Sequence, residues 1–174
     1  MKITKELIED ILRNGIEYLE ASDYARFYDS IAFYNQTATG AVTEVIIKAL
    51  GDPLAYLTYV PEYYLYNSNI ENITISDKYT AVGACAFASS ALKSLTVDAA
   101  EIGIKAFHYC SSLTDVVLGR NVKVVNYRAF VGCFNLRRLH YQGTIKDWSN
   151  IVIDAEAFMK GLTVICSDGE FVYL

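Results

Sequence analysis

Residues 102–118 read IGIKAFHYCSSLTDVVL, and a closely similar spacing of small and apolar residues occurs on both sides of this stretch. The preceding copy, residues 82–97, reads VGACAFASSALKSLTV, and the following copy, residues 125–141, reads VNYRAFVGCFNLRRLHY. Each copy starts with an aliphatic residue and a Gly or Asn, continues to Ala-Phe, and ends in a run of alternating apolar residues. Repetition at a fixed period predicts a stack of similar units.

The middle apolar residue of each final run gives the period. These residues are Ile73, Leu95, Val116, Leu139 and Leu162, at separations of 22, 21, 23 and 23 residues. One unit of this length cannot bury its own apolar face, so stacked copies should bury Phe on Phe and Leu on Leu. Apolar and polar residues alternate in the final run, so each copy should add one strand to a parallel ladder.

The spacing Ala-Phe-x-x-Cys-x-x-Leu, found at residues 106–113 and 129–136, resembles the BspA-type class of leucine-rich repeats. The tail, YQGTIKDW at residues 141–148 and VICSDG at residues 164–169, is similar to the segment that often closes such arrays in bacterial and phage proteins. The resemblance covers about residues 70–174. It implies a leucine-rich-repeat solenoid that binds a partner.

Residues 1–66 lack this pattern and predict a helical, tyrosine-rich cap, which leaves residues 67–174 for the repeats and their closing segment. Apolar residues at helical spacing follow Thr4, a predicted N-cap, and indicate a first helix to about Glu20. A further helix is indicated over residues 42–50. The expected fold is therefore an α+β repeat: a short leucine-rich-repeat solenoid with a parallel strand ladder and an N-terminal helical cap over its apolar end.

Charge and composition exclude several classes of protein. The net charge is -5, with 12 acidic and 6 basic residues in residues 1–80 and 8 acidic and 9 basic residues in residues 81–174. Neither part has the dense Lys and Arg of a nucleic-acid track. No apolar stretch predicts a secretory signal or a membrane span, so we expect a cytoplasmic protein, in the host cytoplasm if it is phage-encoded.

The sequence predicts no catalytic, cofactor or metal site. Cys110 and Cys133 have the same position in the repeat, so we interpret each as a small buried side chain and not as a metal ligand. The two histidines, His108 and His140, are not placed with a nucleophile and an acid in a recognisable catalytic pattern. No glycine cluster forms a phosphate-binding loop.

The outward face of the ladder is the predicted binding surface, because side chains on a rigid sheet are already ordered for contact. Alignment of the copies gives three columns on this face: Asn72, Ser94, Asp115 and Arg138; then Thr74, Thr96, Val117, His140 and Thr163; then Glu71, Lys93, Thr114, Arg137 and Lys160. The alternative is a solvated sheet face without a partner.

A tyrosine-rich run around Pro61 is a second candidate surface, since tyrosine rings provide much contact area with few rotatable bonds. The alternative is that these rings pack between the cap and the first repeat. The candidate partner-binding residues are Thr96, Asp115, Val117, Arg137, Arg138 and His140 on the sheet and Tyr59, Tyr63 and Tyr64 in the run.

The function predicted from sequence is a non-enzymatic protein-protein interaction module with a protein partner and with no cofactor, nucleic acid or membrane. A phage-encoded inhibitor of a host protein would fit the tail. Two alternatives are left open: a structural repeat protein that self-assembles into a homo-oligomer, and a fragment of a surface adhesin.

Overall fold

A computed structural model describes residues 57–174, which wind into a β-solenoid of about four turns. The helices predicted in residues 4–50 lie outside the described residues. Each turn contributes one longer and one shorter strand, and the two kinds of strand form two separate sheets.

The larger sheet has six strands and is built from the alternating runs. Its order is β1 (Asn72–Ile75), β3 (Ser94–Val97), β5 (Asp115–Leu118), β7 (Arg138–Tyr141), β9 (Thr163–Cys166) and β10 (Gly169–Val172). The first five strands are parallel, and β10 returns antiparallel to β9. Leu95 and Val97 are buried while Ser94 and Thr96 are half-buried on the outer face. The predicted parallel ladder is confirmed.

The smaller sheet consists of β2 (Ala81–Val82), β4 (Glu101–Ile102), β6 (Val124–Val125) and β8 (Val152–Ile153), all parallel. The sequence did not predict it, because a strand of two residues is too short to show an alternating pattern. One short helix, α1 (Ile145–Trp148), precedes β8 in the described chain.

The core between the sheets contains a column of phenylalanine rings. Phe87, Phe107, Phe130 and Phe158 stack on one another with centroid distances of 5.4, 5.1 and 5.1 Å and interplanar angles of 5°, 18° and 9°. The rings are at most 4% exposed. The predicted column is therefore confirmed and extends by one ring to Phe158.

Backbone hydrogen bonds join successive turns in the arcs as well as in the sheets. Phe87 N donates to Ala106 O at 2.8 Å, and Phe107 N donates to Ala129 O at 2.9 Å. Four core residues, Leu65, Phe87, Phe107 and Phe130, are each flanked by residues with positive φ two positions before and two positions after. These flanking residues are Tyr63, Asn67, Cys85, Ser89, Lys105, Tyr109, Arg128 and Gly132. The equivalent turns therefore share one backbone shape.

The described residues 57–66, which the sequence assigned to the cap, form a solenoid turn. Val60 forms a parallel bridge with Val82, and Leu65 N donates to Ala86 O at 2.6 Å, as Phe87 N donates in the next turn. Leu65 thus occupies the phenylalanine position. The pattern was missed because Tyr-Leu replaces Ala-Phe and Pro61 replaces the usual Gly.

The last copy also differs from the sequence alignment. Leu139 pairs with Val164, so Val164 and not Leu162 is its middle apolar residue. Arg138 pairs with Thr163, and His140 pairs with Ile165. The segment that contains α1 lengthens this turn, which shifts the register of β9 relative to a fixed period.

The closing segment covers the C-terminal end of the core. Trp148, at the end of α1, is buried and contacts the rings of Tyr141 at 5.5 Å and Phe171 at 5.8 Å. The helix begins at a capping box in which Thr144 Oγ1 accepts from Asp147 N and Asp147 Oδ2 accepts from Thr144 N. The ring contacts of Trp148 hold α1 against β7 and β10.

Phe107→Ala should destabilise the fold by about 3 to 5 kcal/mol, because it empties the centre of the ring column. The measurement is the free energy of unfolding in urea. Ile104→Ala, on the same turn but 49% exposed, is the control and should cost much less. A cost below about 1 kcal/mol for Phe107→Ala would contradict the stacked core.

Gly103→Ala should also destabilise the fold, by about 1 to 3 kcal/mol. A Cβ at residue 103 would lie 2.5 Å from Val82 O, a backbone atom of the preceding turn that cannot rotate away. The thermal midpoint measures the effect, with the exposed Ser112→Ala as a control. An unchanged midpoint for Gly103→Ala would show that the turns are not packed this closely.

Candidate interaction site

The outer face of the larger sheet carries two polar columns. The strand register gives the first as Asn72, Ser94 and Asp115, with Arg138 and Thr163 in β7 and β9, and the second as Thr74, Thr96, Val117, His140 and Ile165. Thr163 therefore moves from the second column to the first, and Lys160 lies in the loop before β9. The predicted columns are otherwise as aligned.

The strand pairing between β5 and β7 is shorter than elsewhere in the parallel ladder of the larger sheet. β3 and β5 pair over four residues, whereas β5 and β7 pair only at Val117 with His140 and at Leu118 with Tyr141. A depression of about 250 Å³, here called the sheet-face depression, lies beside the unpaired start of these strands. It is lined by Thr114, Asp115, Asn135, Arg137, Arg138 and His140.

Polar contacts around the sheet-face depression hold some of its side chains and leave others available. The Arg138 guanidinium donates from Nη2 to Glu170 Oε2 at 2.8 Å, an exposed ion pair. Asp115 Oδ2 accepts from Thr114 Oγ1 at 2.6 Å. Within the described part of the chain, the Arg137 side chain has no carboxylate partner. The depression therefore presents a guanidinium to which no carboxylate of residues 57–174 is paired.

A second depression, the turn-side depression, lies on the other side of Arg137 and has a volume of about 130 Å³. Its lining residues are Cys133, Phe134, Leu136, Arg137, Met159, Lys160, Gly161 and Leu162. Leu136 and Leu162 are buried, while Phe134 is 53% and Met159 37% exposed. The site thus combines an apolar recess with two cationic side chains.

The structure brings together four of the predicted site residues and separates the others. Asp115, Arg137, Arg138 and His140 line the sheet-face depression, and Thr96 and Val117 are half-buried on the same face. The three tyrosines lie on the first described turn, at the other end of the described solenoid.

Tyr64, one of the three candidate tyrosines, is buried in the core. It is only 2% exposed, and its ring lies edge-on to Phe87 at 6.2 Å. Tyr63 is half-buried and contacts Tyr66 at 5.6 Å. Tyrosine at this end of the described chain therefore packs against the repeats, as the alternative interpretation has it.

The cysteines form part of the core. Cys110 Sγ donates to Phe87 O at 3.1 Å, and Cys133 Sγ donates to Phe107 O at 3.2 Å. The hydrogen bond with Cys110 and burial raise the pKa of Cys133, so this residue stays a neutral thiol at pH 7. The interpretation as small buried side chains is confirmed.

The two histidines belong to different parts of the turn. His108 lies in the arc, with its ring 4.4 Å from the Tyr109 ring. Burial, together with the positive charges of Lys105 and Arg128, lowers the pKa of His108 and keeps it neutral at pH 7. His140 lies in β7 at the sheet-face depression, so the two imidazoles do not share a site.

Sequence reasoning missed the apolar part of this site. Phe134 stands where the preceding copy has Ser111, between the Cys and Leu anchors, and this exchange of a small polar residue for an exposed aromatic was the available signal. Met159 carried no such signal, because the last copy could not be aligned correctly from its spacing.

Most of the chain matches a known family of repeat proteins. The BspA type leucine rich repeat region matches residues 29–160 in six copies, which is more than half of the chain. The match begins upstream of the described residues, within the part that the sequence analysis assigned to the cap. No curated protein and no solved structure matches the chain significantly.

Two further observations concern the described residues 57–174. None of their helices is long and apolar enough to cross a bilayer. They contain no group of three or more His, Cys, Asp or Glu side chains arranged to hold a metal ion.

The repeat spacing, the two-sheet solenoid and the family match agree, and the chain belongs to the family of proteins with BspA-type leucine-rich repeats.

Proposed function

We infer that the chain is a non-enzymatic protein-protein interaction module that binds its partner at the sheet-face depression. The sheet-face depression, beside the shortened pairing of β5 and β7, is the observation that carries this proposal. Side chains from both strands and of both charges line this depression, so a partner can contact β5 and β7 at once.

The size of the depression favours a protein partner over a small molecule. Its volume of about 250 Å³ is below the roughly 300 to 1,000 Å³ of ordinary ligand pockets, and it lies on a broad sheet face. Arginine is enriched among the residues that dominate binding energy at protein interfaces, and Arg137 and Arg138 are adjacent here. A single side chain of a partner would fill such a depression.

Two more specific expectations from the sequence go beyond the binding of a partner. A cytoplasmic location, and inhibition of a host protein by a phage-encoded chain, stay predictions that the family match leaves open. The family supports a repeat protein and not a particular partner.

A second candidate function, self-assembly, is supported by the exposed edge of β10. Tyr173 N donates to Leu162 O and Tyr173 O accepts from Gly161 N, so the backbone groups of Val172 point away from β9. Val172 is 52% exposed, and an edge strand with an apolar side chain can pair with another chain. Such pairing would extend the six-stranded sheet.

The interaction module is tested by placing a photo-crosslinking amino acid at residue 140 and, as a matched control, at residue 152. His140 is exposed on the larger sheet, and Val152 is 67% exposed on the smaller one. In cells that produce the protein, we expect covalent adducts from residue 140 that are several times more abundant than those from residue 152.

Arg138→Glu should remove the adducts from residue 140 and leave the fold intact, since the exposed pair of Arg138 with Glu170 contributes less than about 1 kcal/mol. Circular dichroism controls for folding. Adducts that are equally abundant at both positions, or adducts at residue 152 alone, would show that the partner does not bind the sheet face.

Self-assembly is tested by sedimentation velocity across a range of concentrations. If β10 pairs with a second copy, the sedimentation coefficient should rise with concentration, and Val172→Lys should return the protein to a monomer. Glu170→Gln, in the same strand, is the control for a change of charge alone. A wild-type protein that sediments as a monomer at every concentration removes this candidate.

A further inference from the structure

Arg137 lies between the two depressions and lines both of them. It follows Leu136, a buried residue at the turn-side depression, and precedes Arg138, the first residue of β7. Its guanidinium therefore stands at the corner where the arc meets the sheet. Any partner segment that reaches from the sheet-face depression to the turn-side depression must pass this group.

Among residues 57–174, the Arg137 guanidinium has no partner of the kind that the other described arginines have. Arg128 pairs with Glu156 at 2.9 Å, Arg138 pairs with Glu170 at 2.8 Å, and Arg120 Nε donates to Gln142 O at 3.0 Å. For Arg137, residues 57–174 supply neither a carboxylate nor a carbonyl acceptor. A carboxylate fits this position, because the planar fork of a guanidinium binds both of its oxygens.

Lys160 adds a second positive charge across the turn-side depression. It is exposed, and within the described region it also forms no ion pair. The lining of the turn-side depression therefore has two cationic side chains and no acidic one, although the whole chain carries a net charge of -5. Charge complementarity favours an acidic segment over a basic or neutral one.

The turn-side depression as a whole has about the size of one side chain. Its volume of about 130 Å³ is close to that of an engineered apolar cavity of about 150 Å³ that accepts benzene. Leu136 and Leu162 form its buried part, and the partly exposed Phe134 and Met159 add apolar surface at its rim. Met159 can adapt its shape to the entering group, because its side chain is unbranched and flexible.

The geometry points to an acidic peptide segment of the partner, with an aliphatic residue between two acidic ones, as the ligand of this corner. One carboxylate binds Arg137, the other lies near Lys160, and the aliphatic side chain enters the turn-side depression. This inference rests on the proposed interaction function and names the chemistry of the segment that is bound. It assigns the site to Phe134, Arg137, Met159 and Lys160.

The test is direct binding of a labelled probe peptide, Gly-Ser-Asp-Glu-Leu-Asp-Glu-Gly-Ser, to the full chain, measured by fluorescence anisotropy. We expect saturable binding that weakens as salt is added. Replacement of the probe leucine by serine should weaken binding roughly tenfold or more, since it removes the group that is buried. A probe with Asn and Gln in place of the acids should not bind.

Arg137→Gln should weaken binding of the probe by at least about tenfold, the ratio that corresponds to loss of a charge-assisted hydrogen bond. Lys93→Gln is the matched control: Lys93 has the equivalent position two turns earlier but pairs with Glu71 at 2.7 Å. It should leave binding unchanged. Phe134→Ser, at an exposed residue, tests the apolar recess, and circular dichroism verifies that each variant is folded.

Several results would overturn the inference. They are absence of probe binding, equal binding of the leucine and serine probes, an Arg137→Gln variant that binds as well as wild type, and displacement of the probe by a single-stranded oligonucleotide at equal concentration. The photo-crosslinks at residue 140 are independent of this peptide. Crosslinks there without probe binding would leave the interaction function in place and remove only the acidic segment.

Discussion

The stack of Phe87, Phe107, Phe130 and Phe158 is the constraint on which the solenoid depends. Ring centroids separated by 5.1 to 5.4 Å fit the spacing of about 4.8 Å between neighbouring strands, so the core and the backbone hydrogen bonds are satisfied by one rise per turn. The close approach at Gly103 follows from the same rise. A larger residue there would separate the turns and weaken both.

The proposed interaction site lies where the strand pairing is shortened but the stacking of the phenylalanine rings is not. Phe107 and Phe130 belong to the turns of β5 and β7, and their rings remain 5.1 Å apart although these two strands pair over only two residues. The core therefore keeps these turns stacked where the strand pairing is shortened. The proposed partner would meet a surface whose shape is fixed before binding.

Much of the fold could be predicted, because stacked units must repeat the spacing of their buried groups. The Phe column, the parallel ladder and the buried thiols of Cys110 and Cys133 follow from that rule. The rule fails where a turn changes length, as in the last copy, or where other apolar residues replace the anchors, as at Leu65. The shortened pairing between β5 and β7 was not predicted, because the separations of 21 to 23 residues between successive copies gave no sign of it. Four residues that line the candidate site were chosen from their outward phase; Phe134 and Met159 were missed because they lie in the arc.

The antiparallel pairing of β10 with β9 limits where repeat units can be gained or lost during evolution. The direction of the chain reverses at β9, so a further parallel unit cannot be appended after β10 without rebuilding the hairpin and the Trp148 cluster. The inner described turns are continued by parallel pairing and by the same stacking of phenylalanine rings, so a unit added there meets no reversed strand. Gene duplication or deletion of one whole unit would lengthen or shorten the protein from within and leave its sealed end unchanged.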